Sequence, residues 1–457
     1  MDTTLTSPTQ AVNEWQQARQ SVFHLHSVFN RISSSPSGAN CDRSRRGGRG
    51  GVELLKTYSD KGVRASWTKQ KCGSRFCPRC SPVRSYQDRR RLALAVEEHT
   101  RSGGTTLFLT FTAKTRQSFT PSFSDAEYAF RRDTEAFKAF READSGLPRS
   151  GAKARLKAAA EQYGVDRSIP SHAHEEWELN RRLNDFRTVL SRTVFNQRQW
   201  KLDTRYYDIK GRVDVIELVP RPHVRSDGSR NWNRVTHNLH FHVVVFLRGT
   251  LSEDDRDLFT KTLIGRWTAG IHRKGYKATK KAQDAQWIAA RDVRRVMNYI
   301  TKFSDDVVLG KSTGTTKLTV WDALRDADGG RVDEDGFLIP ADPAARQWFR
   351  QVEQVFQGRR MMNTSIGFFK KMGVADRIAE QEAEWRKNSI TETVLTFSGG
   401  TWLLIHEENP ELKYELLNAA ENATAEDVYE LVEATGYNFT RPTALTLAGI
   451  PDDEEPF

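Results

Sequence analysis

A chain of 457 residues, 37% hydrophobic and 28% charged, is long for one domain, so two or three are expected. No apolar run approaches the ~20 residues of a membrane span, and the start, "MDTTLTSPTQAVNEWQQ", lacks the basic and apolar regions of a secretory signal, so the expected localisation is cytoplasmic. The net charge of +11 and pI of 9.4 suggest a polyanionic partner.

That charge is unevenly spread. Residues 401–457 hold thirteen Asp/Glu against Lys413 and Arg441, a net of −11, which leaves +22 on the first 400. A basic body with an acidic tail favours nucleic acid over a membrane surface, because no basic amphipathic anchor helix stands out.

The first 100 residues contain all four cysteines: Cys41, Cys72, Cys77 and Cys80. In "KCGSRFCPRC" three of them form C-x4-C-x2-C, with Gly73 and Pro78 inside the turn. Thiolates so spaced can converge on tetrahedral zinc, with Cys41 as the fourth ligand. A filled shell makes the site structural. Disulfides are not expected in the cytoplasm. Arg75, Arg79 and Arg84 surround the knuckle and are candidate DNA contacts.

The next block, 101–310, opens with "TTLFLTFTAKT", a strand rich in Leu, Phe and Thr. From about 125 to 200 the sequence reads as a helical insert with many basic residues. "RVDVIELVP" is a second strand, with Glu217 embedded among apolar residues, where a carboxylate needs a partner. "HNLHFHVVVFL" is a third. Residues i and i+2 of a strand share a face roughly 7 Å apart, so His240 and His242 project side by side and can grip one cation. His237 lies at odd spacing and points the other way. Val243 to Leu247 is apolar on both faces, the mark of a covered central strand. Glu217 on a neighbouring strand can complete a site with open positions; a strand-end salt bridge is the alternative. A helix capped by Ser252 follows, then the strand "AQWIAAR". Last comes a helix capped by Asp292, on which Tyr299 and Lys302 stand three apart on one face.

Four ordered pieces, "CGSRFCPRC", "LFLTFT", "HNLHFHVVVFL" and "NYITKF", continue into "GRRMMNTSIGFFKKMG". Together they resemble the HUH endonucleases, specifically the rolling-circle replication initiators (Rep) of plasmids from Gram-positive bacteria, above all actinobacterial ones. The resemblance covers roughly 41–372. It implies an α+β fold, with a central antiparallel sheet and flanking helices, an N-terminal zinc-binding segment and helical additions. It further implies that His240, His242 and Glu217 bind Mg²⁺ or Mn²⁺, that Tyr299 is the nucleophile, and that Lys302 assists it. The implied activity is site-specific nicking and joining of plasmid origin DNA through a 5′-phosphotyrosyl link with a free 3′-OH, with a host helicase and polymerase as partners. Two departures stand out. The family's extra histidine comes two residues before the first metal histidine, whereas His237 comes three before, and no glutamate accompanies Tyr299 among Arg295, Val296 and Met297. The alternatives are an HUH-type transposase, usually marked by a second tyrosine on the helix, and a non-catalytic zinc-dependent DNA-binding regulator.

The block 311–400 reads as a helical accessory region. "LGKSTGTT" imitates a phosphate-binding loop, but the earlier glycine of that motif falls at Asp305, which argues against an ATPase. In "DPAARQWFRQVEQVFQGRRMMN" the aromatic and aliphatic positions recur at helical spacing, and Arg359 and Arg360 are further candidate phosphate contacts. The tail, 401–457, contains an acidic helix ended by Gly436.

Overall fold

Antiparallel pairing organises the molecule. The computed structural model describes residues 8–42, 51–60, 62–68, 71–114, 117–119, 170–226, 228–288, 318–329, 331–332 and 338–442. The main sheet is built on a long hairpin, β5 (Ile209–Val224) and β6 (Arg230–Leu247). Its turn closes through Arg225 N–H donating to the Ser229 carbonyl at 2.8 Å, with Gly228 at φ +80°, a conformation glycine adopts without steric cost. On the far side of β6 lie β3 (Thr105–Thr112) and then β7 (Asp284–Ile288); beyond β5 lies β10 (Met362–Thr364). The order is β10-β5-β6-β3-β7, and the short β4 (Gln117–Phe119) pairs with the outer part of β6. Every pairing is antiparallel.

Strand alternation divides the side chains between two cores. Leu107, Leu109 and Phe111 of β3, Ile216 and Leu218 of β5, and Leu239, Phe241, Val243 and Val245 of β6 join the large core with Trp267, Trp321 and Trp348 from three helices. Those helices span Glu253–Arg273, Val320–Asp328 and Pro343–Phe356. The first obeys its sequence signals: the Ser252 side chain accepts from Asp255 N–H, acids fill the first turn, and His272 and Arg273 sit in the last, each matched to the helix dipole. On the opposite face Phe108, Val213, Val244 and Phe246 pack under the helix Cys80–Arg101 and Phe368. This cover spans the Val244–Phe246 end of β6, in keeping with its doubly apolar sequence. Burying such side chains contributes about 1.5–3 kcal/mol each.

A second sheet joins the two chain ends. β1 (Val52–Ser59) lies between β2 (Gly62–Trp67) and β11 (Ile390–Phe397). With the helices Gly399–Glu408, Leu412–Asn422 and Ala425–Thr435 it encloses a separate core around Trp67, Phe397 and Trp402. Strands β1 and β2 carry no signal that the sequence reading used; their sheet joins the 1–100 block to β11 of the 311–400 block, and the boundary at 400 falls inside the helix Gly399–Glu408 that packs on it. The acidic helix is present as read: a Thr424–Asp427 capping box starts it and Gly436, at φ +76°, ends it. A two-stranded ribbon, β8 (Arg331–Val332) and β9 (Leu338–Ile339), completes the strands. The chain is therefore α+β, with antiparallel sheets flanked by helices. Among the described residues no helix is long and apolar enough to cross a membrane.

Candidate functional site

Two polar clusters carry chemistry. In the first, Cys41, Cys72, Cys77 and Cys80 bring their sulfurs within 4.8 Å of one another. Cys41 Sγ is 3.6 Å from Cys77 Sγ and 3.7 Å from Cys80 Sγ, and Cys72 Sγ is 3.7 Å from Cys80 Sγ. A zinc–sulfur bond of ~2.3 Å gives a tetrahedron with edges of about 3.8 Å, so the set fits a structural metal such as zinc. Backbone N–H groups of Ser74 and Cys80 donate to Cys72 Sγ and Cys77 Sγ at 3.3 and 3.4 Å. Hydrogen bonds from its three neighbours pull the Cys80 thiol far below the usual cysteine range, while burial pushes Cys77 up.

The knuckle is tied to both halves of the molecule. Asn30 Nδ2 donates to the Cys41 carbonyl at 3.1 Å and lies 2.9 Å from His406 Nε2. Trp402 Nε1 donates to the carbonyl of Asp42, whose φ is +68°, and Arg79 reaches the Asp42 carboxylate at 3.3 Å.

The second cluster lies on the main sheet. Cross-strand register sets Glu217 of β5 directly opposite His240 of β6, and Thr110 of β3 opposite His242. The two imidazoles are nearly parallel, with ring centroids 6.3 Å apart. Both nitrogens of His242 are engaged: Nδ1 with Thr110 Oγ1 at 3.2 Å, and Nε2 with Glu217 Oε2 at 2.8 Å. Phe108 stacks on its ring and buries it. His240 is partly exposed, yet its Nδ1 is buried with no hydrogen-bond partner. Burial holds its pKa below the ordinary histidine value, against the pull of the Glu217 charge. An orphaned imidazole nitrogen beside a histidine–carboxylate pair is a donor set suited to a divalent cation. The three groups are not drawn within 4.8 Å of one another as the cysteines are. As found, Glu217 Oε2 and His242 Nε2 are in direct contact at 2.8 Å.

His237 faces the opposite side, as its spacing requires. It stacks on Trp348, accepts from Trp348 Nε1 at 2.8 Å, and burial depresses its pKa to about 3. Its role here is packing. Tyr299 and Lys302, with the helix and Asp292 cap read around them, lie outside the described residues, as does the first part of the helical insert up to 169; the insert's last part forms the helix Pro170–Val189. Of the arginines, Arg75 pairs with Asp88, Arg79 with Asp42, and Arg359 donates to Asn180, so these three serve internal contacts. Arg84 and Arg360 are exposed. The sequence reading missed Thr110 and the Asp42–Trp402 link, because both depend on residues far apart in the chain.

No family model matches the chain, and no curated protein or solved structure does either.

Proposed function

We propose that the chain is a metal-dependent, site-specific single-strand DNA nicking and joining enzyme that initiates rolling-circle plasmid replication, with an HUH-type palm formed by the β10-β5-β6-β3-β7 sheet. The observation that carries this reading is the row Thr110–His242–Glu217–His240: an imidazole pair and a carboxylate from adjacent strands, at the place where the sheet face passes from helix-covered to open. His240, His242 and Glu217 would hold Mg²⁺ or Mn²⁺. When bound, the ion supplies Lewis-acid polarisation of a phosphodiester oxygen. Thr110 and Glu217 fix the ring orientation of His242, and the orphaned nitrogen of His240 is the ready donor.

The nucleophile in this reading is Tyr299. A phenol of pKa about 10 is weak at neutral pH, and Lys302 stabilises its anion. Attack on phosphorus forms the tyrosyl O–P bond and breaks the bond to the 3′-oxygen, which leaves as a free hydroxyl after taking up a proton. That hydroxyl primes synthesis by a host polymerase, and the retained ester allows rejoining. The cysteine knuckle, with its structural zinc, serves the fold.

The test is nicking of labelled single-stranded origin fragments in Mn²⁺ by wild type and by His240→Ala/His242→Ala. Cleavage by wild type alone supports the reading. Tight binding with no cleavage by either protein supports the zinc-dependent regulator instead. Cleavage that joins one element end to another supports the transposase.

A further inference from the structure

The core of the second sheet stops short of the end of its strands. Val52 and Leu54 of β1 close it together with Trp67, Phe397 and Trp402. Alternation then brings Lys56 and Tyr58 to that same face of β1, with Glu392 of β11 directly opposite Lys56. Across from them, at the junction of the helices Leu412–Asn422 and Ala425–Thr435, stand the small residues Ala420, Ala423 and Ala425. A cavity of about 290 Å³ is left between sheet and junction, with Val394 and Val428 also in its wall. At roughly 30 Å³ per water this is far more than a packing defect, and it lies near the lower end of the range for small-molecule pockets.

Its polar groups are specific. Tyr58 Oη donates to Glu392 Oε1 at 2.6 Å; burial and this bond push the phenol up to about 12, so it stays a donor at neutral pH. Lys56 Nζ donates to the Ala423 carbonyl at 3.0 Å and lies 5.5 Å from the centre of the Tyr58 ring. Thr424 is taken up by its own capping box. Lys56 and Glu392 are both partly buried, yet neither forms an ion pair with the other or with any other described residue. An ammonium has three donors and a carboxylate accepts several bonds, so each has capacity left. Partly buried charges without a partner are costly.

From this arrangement we infer that the cavity binds a free α-amino acid with a short aliphatic side chain. Glu392, held in place by Tyr58, takes the α-ammonium; Lys56 takes the α-carboxylate; the side chain lies on Val394, Ala420 and Val428. Other occupants leave something unsatisfied. A divalent cation needs several oxygen ligands, and Glu392 is the only acid among the described residues that line the space. An anion alone faces Glu392, and the basic side chain of a partner protein meets Lys56. A wholly apolar molecule would strip water from both charges and pair neither. A zwitterion pairs both. The site lies in the unit that the nicking reading does not use, so the two stand or fall separately.

The experiment is isothermal titration calorimetry of the full chain with L-alanine, L-valine and L-leucine at millimolar concentrations. Two cut-down probes accompany them: leucinamide, which lacks the carboxylate, and isocaproate, which lacks the ammonium. The expected result is saturable binding of at least one amino acid, and binding roughly tenfold weaker or absent for each probe, the loss of one hydrogen bond to a charged group. Glu392→Gln and Lys56→Gln should each weaken the amino acid by roughly the same factor, with the melting temperature unchanged. Ala420→Leu, which fills the floor of the cavity, should abolish binding; if it also lowers the melting temperature, the two charge variants decide. No saturable heat with any of the three amino acids overturns the site. Leucinamide or isocaproate binding as tightly as leucine overturns the zwitterion, and unchanged affinity in both charge variants places the amino acid elsewhere.

Discussion

The cysteine cluster and the histidine row sit at the margins of apolar cores, but one is closed and the other open. Four sulfurs converge at the spacing of a tetrahedron, and their loop is anchored by Asn30 and Trp402 from opposite ends of the chain. The histidine row has one imidazole locked by Thr110 and Glu217 and another with an unsatisfied nitrogen. A full set of four like ligands leaves no position for a substrate and so serves the fold. A mixed, incomplete set with an exposed flank can accept a third party. The lesson lies in what each cluster leaves unsatisfied.

Four substitutions test that contrast. The largest effect is expected from Cys77→Ser, which removes a ligand and unpins Asp42 from Trp402: bound zinc falls from one per chain to none, and the melting temperature drops by about 10 °C, roughly 4 kcal/mol in a domain of this size. Metal analysis with calorimetry checks both. His242→Ala should leave zinc content intact and reduce nicking by about 10³-fold, close to 4 kcal/mol of lost transition-state stabilisation. If it lowered zinc content as Cys77→Ser does, the two clusters would not be independent.

Thr110→Val tests a residue that only the register reveals. Losing the hydroxyl beside His242 Nδ1 should weaken Mn²⁺ binding 10- to 100-fold with little change in melting temperature; metal titration of nicking measures this. The smallest effect at neutral pH comes from His237, a histidine on the same strand with a packing role. Its folded pKa of about 3 lies below the ordinary 6.5. The unfolded chain therefore binds the extra proton between these values. The stability that neutral His237 contributes is complete above pH 6.5 and is lost as pH falls toward 3, by up to about 1.4 kcal/mol per pH unit. Denaturant melts from pH 7 to pH 4 should show a shallower decline in His237→Gln than in wild type, and nicking at pH 7 should be unaffected. A steeper decline in the variant would contradict the burial argument.

Much of this was legible from local pattern. The C-x4-C-x2-C spacing, the Ser252 and Gly436 helix signals, and the i, i+2 histidines depend on neighbours in sequence, so spacing alone locates them. Opposite faces for His237 and His242 follow from strand alternation. What sequence could not supply was set by pairing at a distance. Strand β1 lies against β11 across more than 300 residues, and Thr110 meets His242 only through the β3–β6 register. Ion pairing also redirected the basic residues. Arg75 and Arg79 look like DNA contacts by composition, yet each is paired with an acid, Asp88 and Asp42, within the fold.

The central claim is covalent strand transfer, and its most direct test is to map the adduct. Wild-type protein nicks a single-stranded origin oligonucleotide in Mn²⁺, the complex is digested with trypsin and nuclease, and the peptides are read by mass spectrometry. The account predicts a 5′-phosphonucleotide on Tyr299, in the peptide from Val296 to Lys302. A nucleotide on Tyr206 or Tyr207, or cleavage that leaves no protein-bound nucleotide, would contradict it.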